Sequence, residues 1–357
     1  MPSPADDPAL IQHIFRWDLD KTYLHTDFDS WIDLVRTAVE KPERKRTVPG
    51  AAALIRELRA TVPSIVTILS GSPEQMRLSL EAKLRLDGIQ WDEFVLKPSL
   101  RHILRGRFRA LRDQVGYKLP ALLAARVRAP SHAPETLFGD DAEADGLIYS
   151  LYADILGDRV NDRTLTAVLE HAHTYPDVIS ETIRLVHKVT RTDPVRRIFI
   201  HLDRKSEPAF FRIYGPRVVP VYNYFQAAAV LVEDGILAPL PALRVGGVLV
   251  VANEFSVEDL ASSVRDLVTR GHLGAGTVRT LRDALGTVTD PFALDAKARD
   301  EFLTALDASA WEAGEAPARA EIDYLAALSD DRARWEAARQ RAKAGVRPAN
   351  EPPEGER

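Results

Sequence analysis

One short stretch constrains the fold more than any other: an apolar run that ends in two aspartates one residue apart, Asp18 and Asp20. The run over residues 14–17 is typical of a strand, and in an extended segment residues two apart point the same way. The two carboxylates are therefore predicted to converge on one small volume. Convergent carboxylates repel each other unless they hold a cation or share a proton. The alternative is a strand that ends in an ordinary Asp-rich turn.

The same change from an apolar run to a polar loop recurs along the chain. Further strands are predicted, in chain order, at residues 64–69, 91–96, 135–141, 195–202 and 218–221. Helical patterns lie between them, and the last two strands could continue the same sheet. The alternation predicts an α/β fold with a doubly wound, Rossmann-like parallel sheet and helices on both of its faces.

The chain of 357 residues is long enough for one large α/β domain with additions. We predict an α/β domain over residues 8–238 and a mainly helical C-terminal region over 239–345. A Pro/Glu-rich, disordered tail is predicted over 346–357. Within the helical region, Gly246 and Gly247 lie between apolar runs and predict a turn.

Composition excludes several classes of function. The chain has no cysteine, which excludes disulfides, thiolate nucleophiles and cysteine-ligated zinc. A net charge of -5 gives no global attraction to nucleic acid or to an anionic membrane. The arginine-rich residues 101–112 are either a solvated helix face or a contact for phosphate or a peripheral membrane surface. No apolar run is long enough to cross a bilayer, so a cytoplasmic protein without a transmembrane segment is expected.

Further chemistry-bearing side chains follow the predicted strands or open a predicted helix: Ser70, Lys118, Asp140, Asp141 and Asp145. In a parallel sheet all carboxyl ends of the strands lie at one edge, and open α/β proteins bind ligands there. We therefore expect these side chains to meet the aspartate pair.

The residue types suit phosphoryl transfer. A carboxylate attacks phosphorus only when the phosphoryl charge is neutralised, which Mg²⁺ held by further carboxylates achieves. A second acid must protonate the leaving oxygen and then deprotonate water. A hydroxyl and a lysine hold the remaining oxygens. The predicted roles are nucleophile for Asp18, general acid/base for Asp20, main magnesium ligand for Asp140 and phosphoryl binding for Ser70.

The other acids have supporting roles in this hypothesis. Asp18 and the backbone carbonyl of Asp20 would complete the protein ligands of the metal. Asp141 is a further candidate ligand, and it shares with Asp145 the alternative of holding Lys118 or the waters of the metal.

Four motifs in order carry a resemblance to a known family. Over residues 11–156 the chain resembles the haloacid-dehalogenase (HAD) superfamily, and its motifs are most similar to the catalytic domain of lipin-like and actin-patch-associated phosphatidate phosphatases. The motifs are residues 18–22 (Asp-Leu-Asp-Lys-Thr), 69–73 (Leu-Ser-Gly-Ser-Pro), 94–98 (Phe-Val-Leu-Lys-Pro) and 139–141 (Gly-Asp-Asp) with Asp145.

The resemblance implies a Mg²⁺-dependent phosphatase, a phosphomonoester hydrolase with an aspartyl-phosphate intermediate. It adds Thr22 to the catalytic residues and makes Gly71 and Lys118 phosphoryl-binding residues beside Ser70. The role of Lys118 rests on the resemblance, because a lone lysine could equally be an ordinary surface residue.

The substrate is left open. Lys21 and Asp141 depart from the pattern of those phosphatidate phosphatases. The spacing from Ser70 to Lys118 leaves no room for a large cap domain, so a minimal cap is expected, from residues 23–46 or the C-terminal helices. Such a site suits a bulky or surface-bound substrate, a phosphorylated small molecule or a lipid headgroup. The alternatives are a phosphatase of a soluble metabolite or nucleic-acid phosphate end, and a non-enzymatic scaffold that binds through its C-terminal third.

Overall fold

A six-stranded sheet, parallel throughout, organises the computed structural model of the chain. The structure describes residues 8–24, 47–97, 111–203, 206–252, 254–287, 294–307, 311–331 and 333. The strand order is β3-β2-β1-β4-β5-β6. The strands are β1 (His13–Asp18), β2 (Ser64–Pro73), β3 (Glu93–Lys97), β4 (Glu135–Asp140), β5 (Val195–His201) and β6 (Val218–Val221). The predicted α/β fold class is confirmed.

Helices connect the strands and then continue beyond the last one. They are α1 (Ala51–Thr61), α2 (Arg77–Leu86), α3 (Leu111–Arg128), α4 (Asp145–Leu156), α5 (Asp162–His171), α6 (Pro176–Val186), α7 (Tyr224–Glu233), α8 (Pro239–Val251), α9 (Val257–Thr269), α10 (Ala275–Thr287) and α11 (Ala296–Ala305). Residues 324–331 are also helical. Short 3₁₀ helices lie at Pro8–Leu10, Glu74–Met76 and Pro208–Tyr214.

The two faces of the sheet bury separate apolar clusters. Every residue of β1 and of β4 is buried, as expected for central parallel strands covered on both sides. Trp17 and Phe138 stack with ring centroids 3.7 Å apart. They pack on one face with α1, α2 and the helices from α7 to α11. Leu137 packs on the other face with the helices from α3 to α6. The predicted cover of helices on both faces is therefore present.

A buried ion-pair cluster fixes α3 and α4 to the centre of the sheet. The Arg16 guanidinium of β1 makes two hydrogen bonds to Glu135 of β4, at 3.0 and 2.7 Å. Arg126 of α3 donates to the same carboxylate at 3.0 Å, and the Tyr152 hydroxyl of α4 donates to it at 2.7 Å. The helix that carries Lys118 is thereby held against β1 and β4.

Two local predictions were wrong. Lys118 was expected to open a helix, yet it lies inside α3, which begins at Leu111 and also contains Pro120. Gly246 and Gly247 predicted a turn, but both lie inside α8. A Cβ at Gly246 would lie 3.1 Å from a ring carbon of Phe225, so the glycine permits close packing of the helix on that ring.

Several predicted segments lie outside the described residues: positions 25–46 of the candidate cap, 101–110 of the arginine-rich stretch, and the tail at 346–357. The apolar cluster that contains Trp17 also contains Leu243 and Leu260 of the C-terminal helices. The core is thus continuous across the boundary predicted at residue 238. Among the described helices, none has the length and apolarity that crossing a bilayer requires.

Candidate functional site

Two neighbouring strands end in buried aspartates at the same edge of the sheet. β1 ends at Asp18 and β4 ends at Asp140, and these side chains are 1 % and 0 % exposed. The Thr22 hydroxyl donates to Asp140 Oδ2 at 3.1 Å and lies 3.5 Å from Asp18 Oδ2. Residues that are far apart in sequence therefore meet at this edge, as the parallel sheet predicts.

The loop after β1 is tied to later parts of the chain. Lys21 has a positive φ of 61°, a conformation that few side-chain-bearing residues adopt. Its carbonyl oxygen lies 3.3 Å from Nδ1 of His201 at the end of β5. The Tyr224 hydroxyl, at the start of α7, donates to the Thr22 carbonyl at 2.5 Å. Sequence reasoning missed this contact, because nothing local indicates a partner 202 residues away.

Lys118 contacts three carboxylates at once. Its Nζ lies 2.9 Å from Asp18, 2.8 Å from Glu143 and 2.5 Å from Asp145. The hydrogen bond of the ammonium goes to Asp145, and the contacts with Asp18 and Glu143 are ion pairs. The side chain is 1 % exposed, so the interpretation of Lys118 as a surface lysine was wrong. Sequence reasoning missed Glu143, which is one of several acids in an acidic turn.

Asp145 has a fixed position behind Lys118. Its Oδ2 accepts the backbone N–H of Asp140 at 3.2 Å while its Oδ1 faces the ammonium. The backbone of Gly139 makes room for it, because a Cβ at that position would lie 2.5 Å from Asp145 Oδ2. Of the two roles predicted for Asp145, the contact with Lys118 is the one present in the structure.

Asp20 points away from Lys118 and toward two serines. The Ser70 hydroxyl donates to Asp20 Oδ2 at 2.8 Å, and the Ser72 hydroxyl lies 3.3 Å from the same oxygen. The Ser72 N–H donates to Ser70 Oγ at 3.0 Å. Both hydroxyls reach the same carboxylate, although the pairing of β2 with β3 is irregular between Ser70 and Pro73. That Ser-x-Ser spacing was the signal that could have identified Ser72. Ser70 was predicted to bind a phosphoryl group, and here its hydroxyl is committed to Asp20.

Two predicted residues lie apart from these contacts. Asp141 Oδ2 accepts the backbone N–H of Ser206 at 2.9 Å, so its carboxylate is directed to the loop after β5. Gly71 is half-buried, and a Cβ there would meet no atom within 4 Å. The metal-ligand role of Asp141 and the phosphoryl-binding role of Gly71 both stay predictions.

The electrostatics of the site are dominated by buried negative charge. Burial raises the pKa of Asp18, and the neighbouring carboxylates of Asp145, Glu143 and Asp140 add to this, while Lys118 opposes it. Burial also raises the pKa of Asp140. Burial alone would lower the pKa of Lys118, but the carboxylates around it outweigh this effect and raise its pKa, so the ammonium stays charged.

Asp20 differs from the other acids. Burial raises its pKa to about 6, with a further contribution from Glu143, and the Ser70 hydrogen bond acts in the opposite direction. A carboxyl group with this pKa exchanges its proton near neutral pH.

Three aspartates could bind a metal ion. Oxygens of Asp18, Asp140 and Asp145 all lie within 4.8 Å of one another, and all three side chains are buried. Carboxylate oxygens are the ligands that hard divalent cations prefer. Among the described residues, the Lys118 ammonium faces this group of acids, and a bound cation would offset the negative charge that it leaves uncompensated. The donor set therefore fits a divalent ion.

Comparison of the chain with protein-family models, with curated proteins and with solved structures found no match in any of the three.

Proposed function

We propose that the protein is a Mg²⁺-dependent phosphomonoester hydrolase that acts through an aspartyl-phosphate on Asp18. The observation that carries the proposal is the unequal surroundings of two aspartates in one turn. Asp18 contacts the Lys118 ammonium beside Asp140, whereas Asp20 accepts hydrogen bonds from two serine hydroxyls. Carboxyl groups whose surroundings differ in this way divide the nucleophilic and proton-transfer roles between them. The resemblance of the motifs to those of the HAD superfamily supports the same proposal.

The reaction has two balanced steps. In the first, an Asp18 carboxylate oxygen forms a bond to phosphorus, the bond from phosphorus to the leaving oxygen breaks, and Asp20 gives its proton to that oxygen. In the second, Asp20 takes a proton from water, and the water oxygen attacks phosphorus. Inorganic phosphate leaves, and the Asp18 carboxylate is restored with Asp20 protonated again.

The remaining residues bind and orient. Asp18, Asp140 and Asp145 would hold the metal ion, which would supply positive charge to the phosphoryl oxygens when bound. Lys118 supplies a second positive charge on the side of Asp145. The Thr22 hydroxyl donates to Asp140, and its carbonyl accepts from Tyr224, so these two hydrogen bonds tie the loop after β1 to β4 and α7.

The substrate is proposed as a phosphorylated small molecule or a lipid headgroup. The motif similarity to phosphatidate phosphatases favours the lipid, and the departures at Lys21 and Asp141 favour a soluble phosphomonoester. Both share the chemistry that the site would recognise, a dianionic phosphoryl group on an alcohol oxygen.

The test is phosphate release from an aryl phosphate by the purified protein with Mg²⁺. Asp18→Asn should abolish the release, and chelation of the metal should do the same. Asp177→Asn, an exposed aspartate on α6, is the matched control and should keep full activity. Phosphatidate in mixed micelles, nucleotides and sugar phosphates then separate lipid from soluble substrates. If wild type and Asp18→Asn are equally inert on all of them, the phosphatase proposal is wrong and the scaffold alternative gains.

A further inference from the structure

A cleft of about 580 Å³ lies at the edge of the sheet opposite the acidic site. It is formed where β1, β4 and β5 begin, and the other ends of β1 and β4 carry Asp18 and Asp140. Because β1 has six residues, the cleft and the acidic site are about 20 Å apart. A cleft of this volume is large enough for a small-molecule ligand.

An irregularity in β5 brings two consecutive arginines to this cleft. Glu135 of β4 pairs with Val195, but the next residue of β4, Thr136, pairs with Arg197. Arg196 is therefore the extra residue of a bulge, a feature that redirects a side chain. In a regular strand Arg196 and Arg197 would point to opposite faces, yet both line the cleft.

The two arginines differ in their partners. Arg197 donates to both carboxylate oxygens of Asp234, at 2.7 and 2.6 Å, and to the Pro216 carbonyl at 3.0 Å. Arg196 is exposed, and it has no hydrogen bond or ion pair within the part of the chain that the structure describes. The charge of Arg197 is thus balanced by Asp234, and the charge of Arg196 is available to a ligand.

His13 adds a buried polar group to the wall of the cleft. Its side chain is 3 % exposed, and its Nε2 lies 2.9 Å from Thr136 Oγ1. Among the described residues, its Nδ1 has no hydrogen-bond partner. Burial lowers the pKa of His13 to about 4, Glu135 opposes this, and the nearby charge of Arg196 adds to it. The ring is therefore neutral at pH 7, with one nitrogen left for a polar ligand.

Two helix ends supply charge of the opposite sign. The cleft is lined by the last residue of α1 and by the residues that follow α7. The last carbonyls of a helix lack intrahelical donors and carry partial negative charge. Val62, Pro134 and Ile236 add apolar surface. The cleft therefore combines an available guanidinium, helix ends that favour a cation and an apolar portion.

We propose that this cleft binds a small zwitterion, with its carboxylate on Arg196 and its ammonium on the carbonyl oxygens at the ends of α1 and α7. A guanidinium pairs with a carboxylate through two parallel N–H···O bonds, and cations are favoured at helix C-termini. A free amino acid with an apolar side chain has this chemistry. The inference does not depend on the proposed hydrolase activity, because the residues that line the cleft differ from those of the acidic site.

The experiment is an NMR titration of the full chain that follows the ring resonance of His13, which is assigned by its loss in His13→Gln. The probes are leucine, isocaproate, which lacks the ammonium, and isoamylamine, which lacks the carboxylate. We expect leucine to shift the His13 resonance and to bind most tightly. Each of the other two probes should bind about tenfold more weakly, which is the effect of removing one hydrogen-bonded charge.

Arg196→Gln should weaken leucine and isocaproate by about tenfold and leave isoamylamine unchanged, because only the first two probes carry the carboxylate. Arg163→Gln, at an exposed arginine of α5, is the matched control and should bind all three as wild type does. A His13 resonance that leucine does not shift would overturn the inference. Equal binding of leucine and isocaproate would do so too, as would leucine binding that is unchanged in Arg196→Gln or a loss there that is equal for all three probes.

Discussion

Replacing Asp20 by asparagine tests whether burial favours the protonated form of its carboxyl group in the folded state. The structure raises its pKa to about 6 from an ordinary value of 3.8, chiefly because the side chain is 7 % exposed. The folded state therefore binds this proton more tightly than the unfolded state. The stabilisation from the bound proton is complete below pH 3.8 and is lost as the pH rises through 6.

The magnitude follows from that difference of about two pH units, which corresponds to about 3 kcal/mol at 1.36 kcal/mol per unit. Asparagine keeps an oxygen for the Ser70 and Ser72 hydroxyls but carries no charge at any pH. The free energy of unfolding of Asp20→Asn, minus that of wild type, should therefore increase by about 3 kcal/mol from about pH 4 to about pH 8.

The assay is urea denaturation across this pH range with the metal chelated, followed by tryptophan fluorescence and circular dichroism. Asp193→Asn is the control, and its difference from wild type should stay flat across this range because Asp193 titrates below it. Arg217 and Arg159 bond to Asp193 and lower its pKa to about 2. Its contribution is present above pH 3.8 and lost as the pH falls toward 2, and solvent screening makes it smaller. A difference for Asp20→Asn that stays flat across the range would refute the buried, proton-binding carboxyl group.

Three further outcomes are expected. Lys118→Met leaves three carboxylates without their shared ammonium and should lower the free energy of unfolding by about 3–5 kcal/mol in chelator. Glu135→Gln leaves Arg16 and Arg126 buried without their anion, and a loss of similar size is expected in urea denaturation. Mg²⁺ at about a hundred times its Kd should stabilise wild type by about 2.7 kcal/mol in thermal unfolding, and Asp140→Asn should abolish this gain.

Each of these outcomes has a result that contradicts it. A stability loss below about 1 kcal/mol in Lys118→Met or Glu135→Gln would mean that the buried charges find other partners or water. An equal Mg²⁺ effect in wild type and Asp140→Asn would place the ion elsewhere. Asp177→Asn serves again as the reference for substitution of an exposed aspartate.

The convergence of the site was predictable because it depends on local patterns and one geometric rule. Apolar runs that end in Asp18, Ser70 and Asp140 predict strands, and parallel strands bring their carboxyl ends to one edge. The different surroundings of Asp18 and Asp20 were not predictable in the same way, because only tertiary contacts place the Ser72 hydroxyl near Asp20 and the Lys118 ammonium on Asp18.

The parts that could not be predicted depend on long-range packing. Pro120 and Gly246 each favour a break in local structure, and tertiary packing overrides both. The helix α3 packs against α6 and β2, and α8 packs against α7, α1 and α10. Glu143 is one acid among several in its turn, and only the position of Lys118 singles it out. Tyr224 likewise acquires its bond to the Thr22 carbonyl from the packing of α7.

Gly139 is a position where the structure tolerates no other residue. A single methyl group there would lie 2.5 Å from Asp145 Oδ2, so the smallest possible side chain already displaces the carboxylate behind the lysine. A library that varies residue 139 over all amino acids should therefore return glycine alone among active clones, while a library at Gly71, where a Cβ meets nothing within 4 Å, should return several residues. Substitutions that change the charges of this site are consequently not expected at residue 139.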